Sequence, residues 1–308
     1  MKSKGIPPSP PKKDLMEKIS IVDAPSILGL RPSGVENLPK AFNDAGFLDK
    51  IGAEHHGSVA TFPYNPIKDE EIQVLNSIQI RDFSIKLADK VGEELDNQYF
   101  PIVLGGDCSI VIGCMLALRR KGAYGLFFID GHADFYQPEA SLTSEVADMD
   151  LAIITGRGPD VICDIEGFKP YVMDKNVVVF GYRDAEEQKQ YGSQDVRDTA
   201  INAFDFKTLK KEGVVKAALE AVKRLTRGTI QGFWIHLDVD VLDDDVMSAV
   251  DYRLEGGISF EELTETLRTV LKTEAVGMSI AIFNPKLDPD GSMVKALTDS
   301  IANGFKTN

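Results

Sequence analysis

Cysteine is scarce in this chain. Only Cys108, Cys114 and Cys163 occur in 308 residues, an odd number without framework spacing. With no apolar export segment near the start, that points to a reducing, cytoplasmic setting. Basic charge is also in deficit: 34 Lys and Arg against 48 Asp and Glu give a net charge of -14. Nucleic acid and anionic membrane are therefore poor partners for its surface. No run approaches the roughly 18 apolar residues that a bilayer-spanning helix needs. The Gly-rich stretch TGRGP (155–159) lacks a phosphate-loop pattern, so no nucleotide is assigned to it. Internal repeats, composition breaks and long linkers are missing too. The expectation is a disordered Pro-rich, basic tail over 1–15 and a single domain over 16–308.

What is present is ordinary globular composition, 43% hydrophobic and 27% charged, arranged as alternating strand-like and helix-like segments. Apolar runs predict strands over Ile19–Val22, Pro101–Leu104, Tyr124–Ile129, Val177–Phe180, Gln231–Leu237 and Ala275–Phe283. Between them, helical spacing predicts helices over Gln79–Leu95, Ser109–Arg120, Thr208–Leu225 (N-cap Thr208), Ser259–Leu271 (N-cap Ser259) and Ser292–Ala302. Strands alternating with helices of this length imply an α/β fold with a mostly parallel sheet and right-handed crossovers. In such sheets ligands bind beyond the carboxyl ends of the strands.

Two acidic clusters stand at those ends. Asp130-Gly-His132-Ala-Asp134 follows one apolar run, and Asp238-Val-Asp240 follows another. Residues two apart in extended chain point the same way, so each cluster gathers its polar groups on one side. Carboxylates gathered so closely repel one another unless cations lie between them. Cys108, just after the Pro101–Leu104 strand, falls at the same level and is a sixth donor, although a lone cysteine also serves as a small buried hydrophobe. Asp130 and Asp238 can each bridge two ions while the other donors fill terminal positions. Oxygen-rich ligation suits manganese or magnesium, whereas the thiolate shifts preference toward Zn²⁺, Ni²⁺ or Fe²⁺.

The segments GGDCS (105–109), DGHAD (130–134), DVDVLD (238–243) and FNP (283–285) resemble the ureohydrolase family of arginase, agmatinase and formiminoglutamase. The resemblance implies a three-layer α-β-α arginase-like fold, often oligomeric as a trimer or hexamer, and hydrolysis of guanidino or amidino C–N bonds. It implies two Mn²⁺ per subunit sharing a hydroxide. Asp130, His132, Asp134, Asp238 and Asp240 stand on the family's ligand positions, and Cys108 stands where most members have histidine. On this pattern Cys108 and Asp134 share one ion with the bridging pair, and His132 and Asp240 share the other.

Three further positions bear on chemistry. Ala147 falls where the family usually carries a proton-shuttling histidine, leaving Asp134 or the neighbouring Asp148 as proton carrier. The pKa of Asp148 would have to rise from its ordinary value near 4 for that task. Ile282 replaces the glutamate that contacts the guanidinium in arginase and agmatinase. A buried cation without that partner loses several kcal/mol, so a less basic amidine or modified guanidine, such as an N-hydroxylated arginine, fits better than a simple guanidinium. Glu186 aligns with a substrate-facing carboxylate and is expected to meet an α-ammonium group. Arg183 reads as structural, His236 as core or supporting the ligands, and His55 and His56 as outside the metal site. The expected function is a binuclear metal-dependent hydrolase of a small linear amidine or guanidino compound. The competing reading is a non-catalytic metal-binding protein or partner subunit of the same fold. Four histidines are too few for the His-rich loops of a metal-dependent deacetylase.

Overall fold

In a computed structural model of the chain, residues 18–306 are described; the expected tail over 1–15 lies outside them. Eight strands form one sheet: β1 (Ile19–Ala24), β2 (Glu54–Ser58), β3 (Phe100–Gly105), β4 (Gly125–Ile129), β5 (Val177–Phe180), β6 (Asn202–Phe204), β7 (Phe233–Asp238) and β8 (Ala275–Ala281). Their spatial order is β2-β1-β3-β8-β7-β4-β5-β6, with every pairing parallel. Helices cover the sheet, giving the three-layer α/β architecture. Ser77–Asp96 packs on Ile110–Lys121, while Phe260–Leu271 packs on both Val214–Leu225 and Ser292–Phe305. Among the described residues no helix is long and apolar enough to cross a membrane.

Every residue of β3, β4, β7 and β8 is buried. A strand covered on both faces has no solvent side, so it reads as an unbroken apolar run rather than an alternation. Register then aligns the strand ends. Ile129 pairs with Leu237, Asp238 with Ala281 and Leu104 with Ile280, so the segments leaving β3, β4 and β7 emerge side by side.

Three local features differ from the sequence expectation. The helix expected over Thr208–Leu225 is two helices, Phe206–Glu212 and Val214–Leu225, separated at Gly213, whose φ of 88° no continuing α-helix permits. Its N-cap is Asp205, which accepts a hydrogen bond from the Thr208 amide at 2.8 Å; Thr208 is the third helical residue. The edge strands β2 (EHHGS) and β6 (NAF) carry no apolar run, and their extended form comes from pairing with β1 and β5. Ser259 caps its helix as expected, in a reciprocal capping box with Glu262.

Candidate metal centre

The three loops that follow β3, β4 and β7 build the site, the first two locked by close backbone approach and the third by a side-chain cap. Beyond β3 a Cβ at Gly106 would lie 1.7 Å from the Ser26 carbonyl oxygen, so only glycine passes there. Asp107 then accepts the Ser109 amide at 2.9 Å, turning the chain into the helix Ile110–Lys121 and leaving Cys108 at the strand end. Beyond β4 a Cβ at Gly131 would press on Arg183 Nη1 at 2.4 Å and the Asp240 carbonyl at 2.7 Å. Asp134 closes that loop at φ 44°, a left-handed conformation that aspartate tolerates better than most residues. Beyond β7 the Asp238 side chain accepts the Asp240 amide at 2.7 Å, which caps a single 3₁₀ turn, Val239–Val241. Asp240 therefore reaches the site from a turn rather than from an extended strand.

These loops bring all six predicted donors together. Donor atoms of Asp130, His132 and Asp134 lie within 4.8 Å of one another, as do those of Asp130, Asp238 and Asp240. Cys108 Sγ donates to Asp238 Oδ2 at 2.8 Å. His132 Nδ1 lies 2.7 Å from Asp240 Oδ2, and Gly131 N–H donates to Asp240 Oδ1 at 2.9 Å. Asp130 Oδ1 accepts the His132 amide at 2.6 Å, while its Oδ2 is buried without any partner.

The electrostatics follow from that crowding. Burial first, and then neighbouring carboxylates, pushes Asp130, Asp134 and Asp238 well above the ordinary carboxylate range. Burial and the Asp238 charge push the Cys108 thiol up as well. Asp240 alone among these acids is lowered, because the His132 charge and hydrogen bond outweigh its burial. His132 itself, pulled down by burial, is carried up to about 9 by Asp240. Buried anions that repel one another, one with an orphan oxygen, fit a cluster of divalent cations. The donor set of four carboxylates, one thiol and one imidazole suits two such ions.

Above the donors lies a cleft of about 340 Å³. Cys108, His132, Asp134, Asp238 and Asp240 form its floor, and Ala147, Asp148 and Ile282 are among its walls. Asp148 is held by the hydroxyls of Ser141 and Thr143, which donate to Oδ2 at 2.8 and 2.6 Å. Burial outweighs both hydroxyls and pushes it up to about 7. Ile282 sits at φ 72°, a strained conformation for a β-branched residue, with its amide donating to the Gly106 carbonyl at 2.8 Å. Glu186 is exposed and not on the cleft wall; the acid that lines the cleft from the same helix is Glu187. Arg183 Nη2 donates to the carbonyls of Asp240 and Leu254 at 2.8 and 3.2 Å, tying two site loops together.

Sequence reasoning passed over several acids. Asp184 is buried near the floor, accepting from the Ala133 amide at 3.0 Å and Gln188 Nε2 at 2.7 Å. Asp150 is wholly buried with both carboxylate oxygens unpartnered, and burial followed by the charge of Asp238 pushes it well up. Its signal was present: Asp148-Met-Asp150 repeats the Asp-x-Asp spacing of the recognised clusters. His236 stacks on Phe128 at 4.9 Å and its Nδ1 faces Ser279 Oγ at 2.8 Å. Burial drives it down to about 3, keeping it neutral beside Cys108 and Asp130. His55 and His56 lie on the edge strand β2 and face Asp23 and Glu94 at 2.9 and 2.6 Å.

Known proteins share this fold. The sequence model of the Arginase family matches residues 17–304. The arginase of Staphylococcus aureus (strain COL) is 27% identical over 296 residues, covering 93% of this chain and 96% of that protein. Two solved structures share the fold. The arginase of Bacillus caldovelox superposes with a TM-score of 0.86 at 23% identity, over 94% of this chain and 99% of that one. The formimidoylglutamase of Bacillus subtilis superposes with a TM-score of 0.70 at 16% identity, over 94% and 86%. The chain belongs to the arginase family.

Proposed function

We propose that this protein is a binuclear metal-dependent hydrolase that cleaves the C–N bond of a small linear amidine or guanidino compound. One observation carries the reading: Cys108, Asp130, His132, Asp134, Asp238 and Asp240 converge below a cleft, with a buried carboxylate oxygen of Asp130 left unpaired. Two divalent ions, Mn²⁺ or a softer metal favoured by the thiol, supply Lewis acidity and water activation when bound. Asp130 and Asp238 would bridge them, Cys108 and Asp134 completing one site, His132 and Asp240 the other.

The remaining chemistry belongs to the walls. Asp148, its Oδ2 fixed by two hydroxyls, is placed to hand a proton to the leaving amine, a task for which its raised pKa suits it. Asp134 is the second proton carrier by position. Glu187 replaces Glu186 as the acid for a substrate ammonium group, since it lines the cleft. Ile282 and Ala147 leave one wall apolar, which disfavours a strongly basic guanidinium and favours a neutral amidine or an N-hydroxylated guanidine.

The test is metal content by elemental analysis after reconstitution with manganese, nickel, iron or zinc, paired with release of urea, ammonia or formamide from a substrate panel. About two ions per chain are expected, one of them lost in Cys108→Ala, with turnover on at least one amidine. Failure to bind any ion overturns the enzyme reading. Two ions without turnover on any substrate favours the non-catalytic alternative, to which the Cys108, Ala147 and Ile282 replacements point.

A further inference from the structure

Asp150 begins the short helix Asp150–Ile154, whose next four residues, Leu151 to Ile154, are all buried. The core therefore fixes its backbone, and the Ala152 amide donates to the Asp134 carbonyl at 3.3 Å, fastening this helix to the DGHAD loop. Its side chain is 0% exposed and neither carboxylate oxygen has a hydrogen-bond partner, beyond slight relief from the adjacent Leu151 amide. A donor oxygen of Asp150 nevertheless lies within 4.8 Å of both Cys108 Sγ and an Asp134 oxygen, each of them also within that distance of the other. A leucine or asparagine would satisfy the packing without burying a charge. Left without a hydrogen-bond partner in the protein, so deeply buried a carboxyl group calls for a partner of another kind.

We infer that Asp150 is a further protein ligand of the ion held by Cys108 and Asp134, approaching it from behind the cleft floor. This rests on the binuclear reading above. It makes the two metal positions unequal: one carries a thiolate and two terminal carboxylates, the other a single terminal carboxylate and an imidazole. A borderline divalent cation suits the first position, because it accepts sulfur and oxygen together. The side chain does not line the cleft, so it would set the affinity and position of the ion without touching substrate.

Cobalt(II) is the probe, because thiolate ligation gives a near-ultraviolet charge-transfer band that reports the Cys108 position alone. Full-length wild type and Asp150→Asn, which keeps the shape, are titrated with cobalt under reducing conditions. The count of bound ions and the thermal midpoint are read with and without chelator. The expected result is that Asp150→Asn binds the band-producing ion at least about tenfold more weakly and keeps the other ion. The chelated variant also melts above the chelated wild type, since a buried unpaired carboxylate is gone, and the order reverses in excess cobalt. A fold merely damaged by the substitution would melt lower in both conditions. Equal affinities and an unchanged band overturn the assignment, as does weakening confined to the ion without the band. If wild type binds no cobalt, the binuclear reading falls with it; if wild type binds two ions and Asp150→Asn matches it, only this inference falls.

Discussion

Buried acids in this protein meet opposite fates. Glu94, in the helix Ser77–Asp96, is 2% exposed, yet Lys90 Nζ reaches Oε1 at 2.8 Å and His56 Nδ1 reaches Oε2 at 2.6 Å. Burial alone would raise its pKa; hydrogen bonding from Lys90 and His56 outweighs burial and holds it below the ordinary glutamate value. Asp130 and Asp150 are as deeply buried and have oxygens that meet no donor, so burial and neighbouring acids push both well up. Deep burial with full pairing at one acid and without it at the others fits completion of the latter by a group outside the chain. The contrast sets a paired structural acid against the acids proposed as ligands.

Breaking the contrast at the site should have the largest effect. Asp130→Asn is expected to lose the shared metal positions and reduce turnover to background, with elemental analysis and product release as the measurements. The same variant, held in chelator, should be more stable than wild type by about 1–3 kcal/mol in denaturant unfolding. A destabilised chelated variant would mean that Asp130 is structural after all.

Asp148→Asn separates proton handling from ligation. We expect a fall of about 10²–10⁴ in kcat, with metal content unchanged; a normal kcat would assign proton handling to Asp134 alone. Ile282→Glu tests the apolar wall. It should shift preference toward a charged guanidinium over a neutral amidine by about tenfold in kcat/KM, without loss of metal.

Glu94→Gln completes the comparison with the opposite sign. It should destabilise the fold by about 1–3 kcal/mol at neutral pH, by the same amount with metal and with chelator. Because the folded-state pKa of Glu94 is lowered, its stabilisation is present above the ordinary glutamate value of 4.5 and is lost as pH falls through the folded value. The gap between wild type and Glu94→Gln should therefore close on acidification below that range. A gap that persists would show that packing, not charge, is the source.

The legible parts of this molecule are those whose chemistry is concentrated in consecutive residues. β3, β4 and β7 were visible because strands buried on both faces are uniformly apolar, and the donors were visible because each cluster directly follows such a run. β2 and β6 were not, because edge strands have little to bury and their extended form comes from a neighbour. The break at Gly213 escaped because apolar periodicity runs across it, and glycine inside a periodic stretch is only a weak stop signal. Glu186 and Glu187 show the limit at a single position. Adjacent residues on a helix point about 100° apart, and only packing of the helix decides which one faces the cleft.

The sequence by itself determined the layered α/β fold, the family and the six candidate donors at the strand ends, because apolar runs and strand-end motifs are local properties of the chain. Tertiary structure decided which buried acids are paired and which are not. Asp150 stands 42 positions from Cys108 in the chain, and its donor oxygen comes within 4.8 Å of Sγ only once the strand ends align and the helix from Asp150 packs beneath them. Hydrogen bonding and repulsion depend on distance in space, and for residues so far apart in sequence that distance is set by the packed sheet.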